Sequence, residues 1–233
     1  MLFRLKQNVT RELTGTKQNN LIEAMGMLEK NKTNIIGITG GIGAGKSTVL
    51  KYIEEHYNCL VIFSDDVAND IKKKGYPAYD ELVKLLGDDV LAEDGEIDKA
   101  KMAAAIFNNK NLLEKVNNIL HPAVNTFIIN IIESEKAAGR YDFIIVEAAL
   151  LIENGYDKIC DELWYVFADE NTRRARLKAS RGYSDEKVTD ILGKQLSDAE
   201  FRKHCQFVID NSGELDESAK QIDKKIGEWR KDG

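Results

Sequence analysis

The segment Gly40-Gly41-Ile42-Gly43-Ala44-Gly45-Lys46-Ser47 satisfies the pattern G-x-x-x-x-G-K-S/T at every fixed position. Its flanks narrow what the chain can fold into. Asn34-Ile35-Ile36-Gly37-Ile38-Thr39 before it is a short isoleucine-rich run of the kind that forms a buried parallel strand. The residues from Thr48 to Glu55 after it read as helix, with Val49, Tyr52, Ile53 and Tyr57 on one face. Strand, glycine-rich turn and helix N-terminus together make an anion cradle. The glycines let backbone N–H groups close around phosphate oxygens, and the unpaired amides and positive dipole end of the helix point at the same spot. The expected contacts are the backbone from Gly41 through Ile42, Gly43, Ala44 and Gly45 to Thr48. Lys46 is expected on the β- and γ-phosphates, and the Ser47 hydroxyl on Mg²⁺. The chain is expected to bind a nucleoside triphosphate.

The rest of the sequence fits an α/β fold. Apolar runs at Leu60–Phe63, Phe143–Val146, Leu163–Phe167 and Phe207–Ile209 alternate with helical patterns, which predicts a parallel sheet covered on both faces. The expected organisation is an N-terminal extension over 1–33 and a phosphate-loop domain over 34–233. The domain's core would be 34–65, 140–170 and 205–233, with a helical substrate lobe over 66–139 and a helical lid over 171–204. Within the lobe an apolar stripe runs through Leu112, Leu113, Val116, Ile119 and Leu120 and resumes with Val124, Phe127, Ile128, Ile131 and Ile132. Between them stands His121-Pro122, and proline is costly inside a helix but welcome in a first turn, so a break at His121 and a new helix from Pro122 are expected. Leu215, Ala219, Ile222, Ile226 and Trp229 form one stripe on a closing C-terminal helix, and a weaker helical pattern surrounds Leu21, Ile22, Met25 and Leu28.

Composition excludes several classes. A net charge of −6 argues against a general nucleic-acid binder. No run of 18 apolar residues is present to span a membrane, and Met1-Leu2-Phe3-Arg4-Leu5 is too short and too soon polar for a signal-peptide core. The three cysteines, Cys59, Cys160 and Cys205, have no metal-ligand spacing and read as reduced thiols filling apolar stretches, as in a cytoplasmic protein.

Two carboxylates at strand ends narrow the chemistry. Asp65 follows Leu60–Phe63 and could take the proton of an incoming hydroxyl or simply cap the next helix; Asp66 reads as an acidic first-turn residue. Glu147 follows Phe143–Val146, where many such folds place the acid that holds Mg²⁺ through water. Arg173, Arg174, Arg176 and Arg181 lie where a phosphate-clamping lid belongs, or form a solvated face.

Taken together these residues resemble the dephospho-coenzyme A kinase family, from Ile35 to about Trp229. The run Ile38 to Val49 is similar to the family's phosphate loop almost letter for letter. Phe63-Ser64-Asp65-Asp66-Val67-Ala68-Asn69 stands for Asp-Ala-Asp-x-Ile-Ala-Arg. Gly75-x-Pro77, Gly87, Asp94-Gly95 and Ile106-Phe107 follow in order, then His121-Pro122. Glu147-Ala148-Ala149-Leu150-Leu151-Ile152-Glu153 stands for Asp-x-Pro-Leu-Leu-x-Glu, and Arg176/Arg181, Gln195 and Val208-Ile209-Asp210-Asn211-Ser212-Gly213 complete the set.

The departures are Phe63, Asn69 and Ala149 for Asp, Arg and Pro, Cys205-Gln206 for Ala-Asp, and lid arginines five residues apart instead of four. Asn69 in particular removes a cation that could meet a substrate phosphate. The resemblance implies phosphorylation of the ribose 3′-hydroxyl of dephospho-coenzyme A by ATP with Mg²⁺, the last step of coenzyme A biosynthesis. The protein would be a monomer or small homo-oligomer acting on a small molecule, with no nucleic acid or membrane partner. The catalytic set would be Lys46, Asp65, Arg176 and Arg181. Asn211 would join the loop at the nucleotide, and Thr39, Asp65, His121, Pro122, Leu150 and Glu153 would meet the acceptor. Arg173 and Arg174 are expected to be largely solvated. Another small-molecule or nucleoside kinase remains the alternative. A nucleotide switch or ATPase without an acceptor is a weaker one, since no N/T-K-x-D guanine-reading run is present and the helical insertion would go unexplained.

Overall fold

In the computed structural model, residues 33–229 are described. The expected extension and the pattern around Leu21 to Leu28 lie outside them. Strand β1 (Asn34–Thr39) leads through the glycine-rich turn into helix α1 (Lys46–His56), and β2 (Cys59–Phe63) follows. Four helices come next: α2 (Ser64–Asp70), α3 (Tyr79–Leu86), α4 (Lys99–Ile106) and α5 (Lys110–Ala138). Strand β3 (Phe143–Glu147) returns to the sheet and β4 (Glu162–Phe167) follows. Helices α6 (Glu170–Arg181), α7 (Asp185–Leu192) and α8 (Asp198–His204) precede β5 (Phe207–Asp210) and the closing α9 (Leu215–Trp229).

The five strands are parallel in the order β2-β3-β1-β4-β5. Because side chains alternate along a strand, each strand feeds two cores. Ile36 and Ile38 of β1 with Phe143 and Ile145 of β3 pack on α1 (Val49, Leu50, Ile53) and α9 (Ile222, Ile226). Ile35, Ile144 and Val146 face the other way, onto α2, α3 and α5. Gly37 belongs to this second face, where a Cβ would meet Cys160 Sγ and Leu151 Cδ1 at 3.1 Å and press harder still on Leu163, so any side chain there would force those core side chains to move. Leu215 departs from its expected place in the stripe and is 38% exposed at the start of α9.

The expected break at His121 does not occur. Helix α5 runs unbroken for 29 residues with Pro122 inside it. The stripe shows why. Val116, Leu120, Val124, Ile128 and Ile132 keep a spacing of four straight through the proline, and Val116, Val124, Ile128 and Ile132 are buried. Breaking the helix would put half of that stripe out of phase, at about 1.5–3 kcal/mol per buried side chain. One internal proline costs about 3 kcal/mol. Both Pro122 and Asn118, whose carbonyl loses its amide partner, are exposed.

Candidate active site

Register brings the chemistry to one sheet edge. Glu147 is level with Phe63 of β2 on one side and Ile38 of β1 on the other. The turn after β1, the last residue of β3 and the start of α2 after β2 therefore share the carboxyl edge, where β1's connection and β3's connection leave in opposite directions. Such switch points form the ligand crevice of open α/β sheets.

The turn itself is an amide cradle. Gly45 caps α1 with φ of 90°, a left-handed conformation that disfavours any side chain, and it offers no side-chain cap. Backbone N–H groups of Gly43, Gly45, Lys46 and Ser47 find no protein acceptor among the described residues. Ser47 and Thr48 are exposed on the first turn of α1. Free amides at a helix start, an adjacent ammonium and an exposed hydroxyl are what a magnesium-bound triphosphate requires.

Lys46 Nζ donates to Gly40 O at 2.7 Å and lies 3.7 Å from Glu147 Oε1. Burial pushes the Lys46 ammonium below the usual lysine range, and Glu147 and then Asp65 pull it partly back. Burial likewise pushes the Glu147 carboxyl up, opposed by Lys46 and reinforced by Asp65 and Asp66. Asp65 is exposed on the first turn of α2. The capping alternative for Asp65 falls, because the N-cap position belongs to Phe63 and no side chain caps it. Asp66 sits in the same first turn, as expected.

The arginines of α6 divide differently from expectation. Arg173 is not solvated. Its Nε donates to Ile42 O at 2.9 Å and its Nη2 to Gln195 Oε1 at 2.6 Å, and the same Gln195 oxygen accepts from Ile42 N at 3.1 Å. Burial lowers its guanidinium pKa. This clamp also accounts for Gly41, which no pattern position requires: a Cβ there would strike the Arg173 guanidinium and Gln195. Arg176 stands one turn on, its Nη1 3.3 Å from Ala44 O. Arg174 points away, paired with Glu170 and Thr189. Arg181 is exposed at the end of α6, roughly 12 Å beyond Arg173 along the helix, with its guanidinium 5.9 Å from the Tyr183 ring centre. The spacing of five thus puts Arg176, and not Arg181, on the face turned to the loop.

Asn211 holds the loop from behind. Its Nδ2 donates to Ala44 O at 2.8 Å, its Oδ1 accepts from Ser218 Oγ at 2.9 Å, and it is 3% exposed. Asn211 thus supports the backbone of the cradle. Thr39, expected at the acceptor, is sealed under the loop with no exposed surface, and its hydroxyl has no partner among the described residues. His121 and Pro122 are exposed on α5, and Leu150 and Glu153 are exposed in the turn after β3. Asn125 Nδ2, one turn past His121, donates to Asn154 O at 3.4 Å, so those two segments adjoin. The Arg173–Gln195–Ile42 clamp was not read from sequence. Its traces were the glycine at position 41 and Gln195, matched to the family's motif without a partner assigned to it.

Comparison with known proteins agrees with this geometry. A sequence model of the family described as dephospho-CoA kinase matches residues 34–217. The dephospho-CoA kinase of Carboxydothermus hydrogenoformans is 35% identical over 196 residues, covering 84% of this chain and 94% of the relative. That of Aquifex aeolicus is 36% identical over 197 residues, covering 84% and 98%. A solved Thermus thermophilus structure superposes with a TM-score of 0.69 at 27% identity, covering 84% of this chain and 97% of the other. The dephospho-CoA kinase of Campylobacter jejuni shares the fold, with a TM-score of 0.58 at 20% identity over 85% of this chain and 98% of its own. The family match spans the cradle, both strand-end carboxylates and the arginine clamp in one continuous stretch, and the chain belongs to the dephospho-CoA kinase family.

Proposed function

We propose that this protein transfers the γ-phosphoryl group of ATP to the ribose 3′-hydroxyl of dephospho-coenzyme A, giving coenzyme A and ADP. The observation that carries the reading is the convergence of Lys46, Asp65 and Glu147 at one sheet edge within the stretch the family shares. Phosphoryl transfer passes through a loose transition state, so the protein's work is positioning and charge stabilisation. Lys46 and Arg176 place positive charge on the oxygens that gain charge as the bond to the leaving group opens. Glu147, beside Lys46, orients its ammonium. Asp65, exposed on the facing edge, accepts the proton of the attacking hydroxyl. The exposed Ser47 hydroxyl would hold Mg²⁺, which when bound would supply positive charge to the phosphates. His121, Pro122, Leu150 and Glu153 form the adjoining rim against which the acceptor lies, with residues 66–139 as the substrate lobe and α6 to α8 as the lid.

The test is ADP release from ATP measured with dephospho-coenzyme A, adenosine and AMP in turn. Dephospho-coenzyme A alone is expected to stimulate it. Stimulation by a nucleoside or nucleotide and not by dephospho-coenzyme A would assign the chain a different acceptor.

A further inference from the structure

A cavity of about 450 Å³ opens beside the site, lined by Asn69, Lys72, Lys73, Glu96, Ile97, Lys99 and Met102. Its charges are unevenly satisfied. Lys73 is paired with Asp70 at 2.5 Å. Glu96 accepts from Lys74 N at 3.0 Å. Asp98 is spent as the N-cap of α4, accepting from Lys101 N. Lys72 and Lys99 differ: neither makes a salt bridge among the described residues, and Lys72 has only the Asn69 amide oxygen at 3.4 Å.

The placement of these two lysines works against the fold. Lys72 is half-buried, and burial together with the charge of Lys99 lowers its pKa. Lys99 occupies the first position of α4, where the helix dipole repels a cation. Two repelling cations without an ion-pair partner among the described residues, facing a cavity of ligand size, are stabilised when an anion enters between them, although Glu96 in the same lining carries the opposite charge.

The position of the cavity identifies the anion. Asp65 and Asn69 lie at i and i+4 on one face of α2, and Lys72 follows in the turn just after the helix ends at Asp70. Lys72 lies two residues beyond the last residue of α2, close enough for the field of Asp65 to reach it. An acceptor whose ribose hydroxyl lies at Asp65 carries its 5′-diphosphate away from that hydroxyl, toward that turn. Ile97 and Met102 give the cavity an apolar wall for the chain that continues beyond.

We propose that the cavity between α2 and α4 is the diphosphate subsite for the acceptor, with Lys72 and Lys99 as its cations. The identity of the acceptor rests on the function proposed above; the anion subsite rests on the cavity itself. Lys72 restores, one turn further along, positive charge that Asn69 does not provide.

The test is steady-state kinetics of Lys72→Gln, Lys99→Gln and the double variant, with Lys74→Gln, outside the cavity, as control. The double variant is expected to raise KM for dephospho-coenzyme A at least tenfold, leave KM for ATP within twofold, and recover in part with Lys72→Arg. An unchanged acceptor KM in the double variant overturns the subsite. If the parent protein shows no dephospho-coenzyme A-dependent ADP release, the proposed function fails while the subsite is still decided. Inorganic pyrophosphate titrated calorimetrically into protein saturated with ADP should bind the parent and bind the double variant at least tenfold more weakly. Equal binding overturns the subsite.

Discussion

Arg173→Lys is the sharpest perturbation of the loop that leaves every phosphate-facing group in place. The guanidinium serves two acceptors at once, Ile42 O and Gln195 Oε1, at 2.9 and 2.6 Å. Lysine keeps the charge but offers a point donor on a flexible stem, and cannot hold both oxygens in the arginine's planar geometry. One charge-assisted hydrogen bond is lost, worth about 1.5–3 kcal/mol net. For a domain of this size each kcal/mol moves the midpoint by about 2–4 °C. A loss near 2 kcal/mol therefore lowers Tm by about 4–8 °C. The clamp pins the backbone on which ATP sits, so binding must supply part of the lost ordering. At about 1.4 kcal/mol per tenfold, Kd for ATP rises roughly ten- to thirtyfold. Calorimetric melting and ATP titration measure the two effects. Arg174→Lys, changing an outward pair with Glu170, should move neither. Refutation is simple: Arg173→Lys with a midpoint within about 1 °C of the parent and unchanged ATP affinity would mean that the clamp does not shape the loop.

Lys46→Ala should fold normally and lose phosphoryl transfer by two or more powers of ten, roughly 3 kcal/mol of transition-state stabilisation, read as single-turnover rate with circular dichroism as the folding control. Asp65→Asn should keep ATP affinity within about threefold while turnover drops by on the order of a hundredfold or more; near-parental turnover would move the base elsewhere, with Glu147 next. Pro122→Ala restores the missing amide in α5 and should stabilise the protein by about 1–2 kcal/mol, part of the helical gain being offset by a freer unfolded chain; a loss of stability in denaturant melts would argue against a continuous helix. Burial pushes the Cys59 and Cys205 thiols up to about 11 and the Cys160 thiol to about 12. Raised pKa values mean less thiolate below them. At pH 8 alkylation of the folded protein should run on the order of a hundredfold slower than in denaturant and accelerate only as pH climbs toward those values.

How much of this was legible in the sequence depends on the distance over which each feature is determined. The cradle was legible because strand, turn and helix start lie within two dozen consecutive residues, and the strands because their apolar runs are local. The break assigned to His121 followed from a local rule for proline that the buried stripe from Val116 to Ile132 overrides. The role of Arg173 depends on contact with Ile42, 131 residues away, and no helical pattern on α6 distinguishes it from Arg174. Asn211 was placed at the nucleotide by its motif, and its position behind the loop was not legible, because burial of its amide against Ala44 is decided by β5 and α9 packing. The Lys72 and Lys99 cavity leaves no trace in the sequence beyond a lysine run at 72–74, since it forms only when α2 and α4 come together.

The measurement that bears most directly on the account is the position of the transferred phosphate. Incubation with ATP, magnesium and dephospho-coenzyme A, followed by phosphorus NMR and mass spectrometry of the product, should show one new monoester on the ribose 3′ carbon, formed one for one with ADP. ADP released without a phosphorylated acceptor, or a phosphate carried at any other position, would contradict the arrangement of Lys46, Asp65 and the diphosphate subsite argued from this structure.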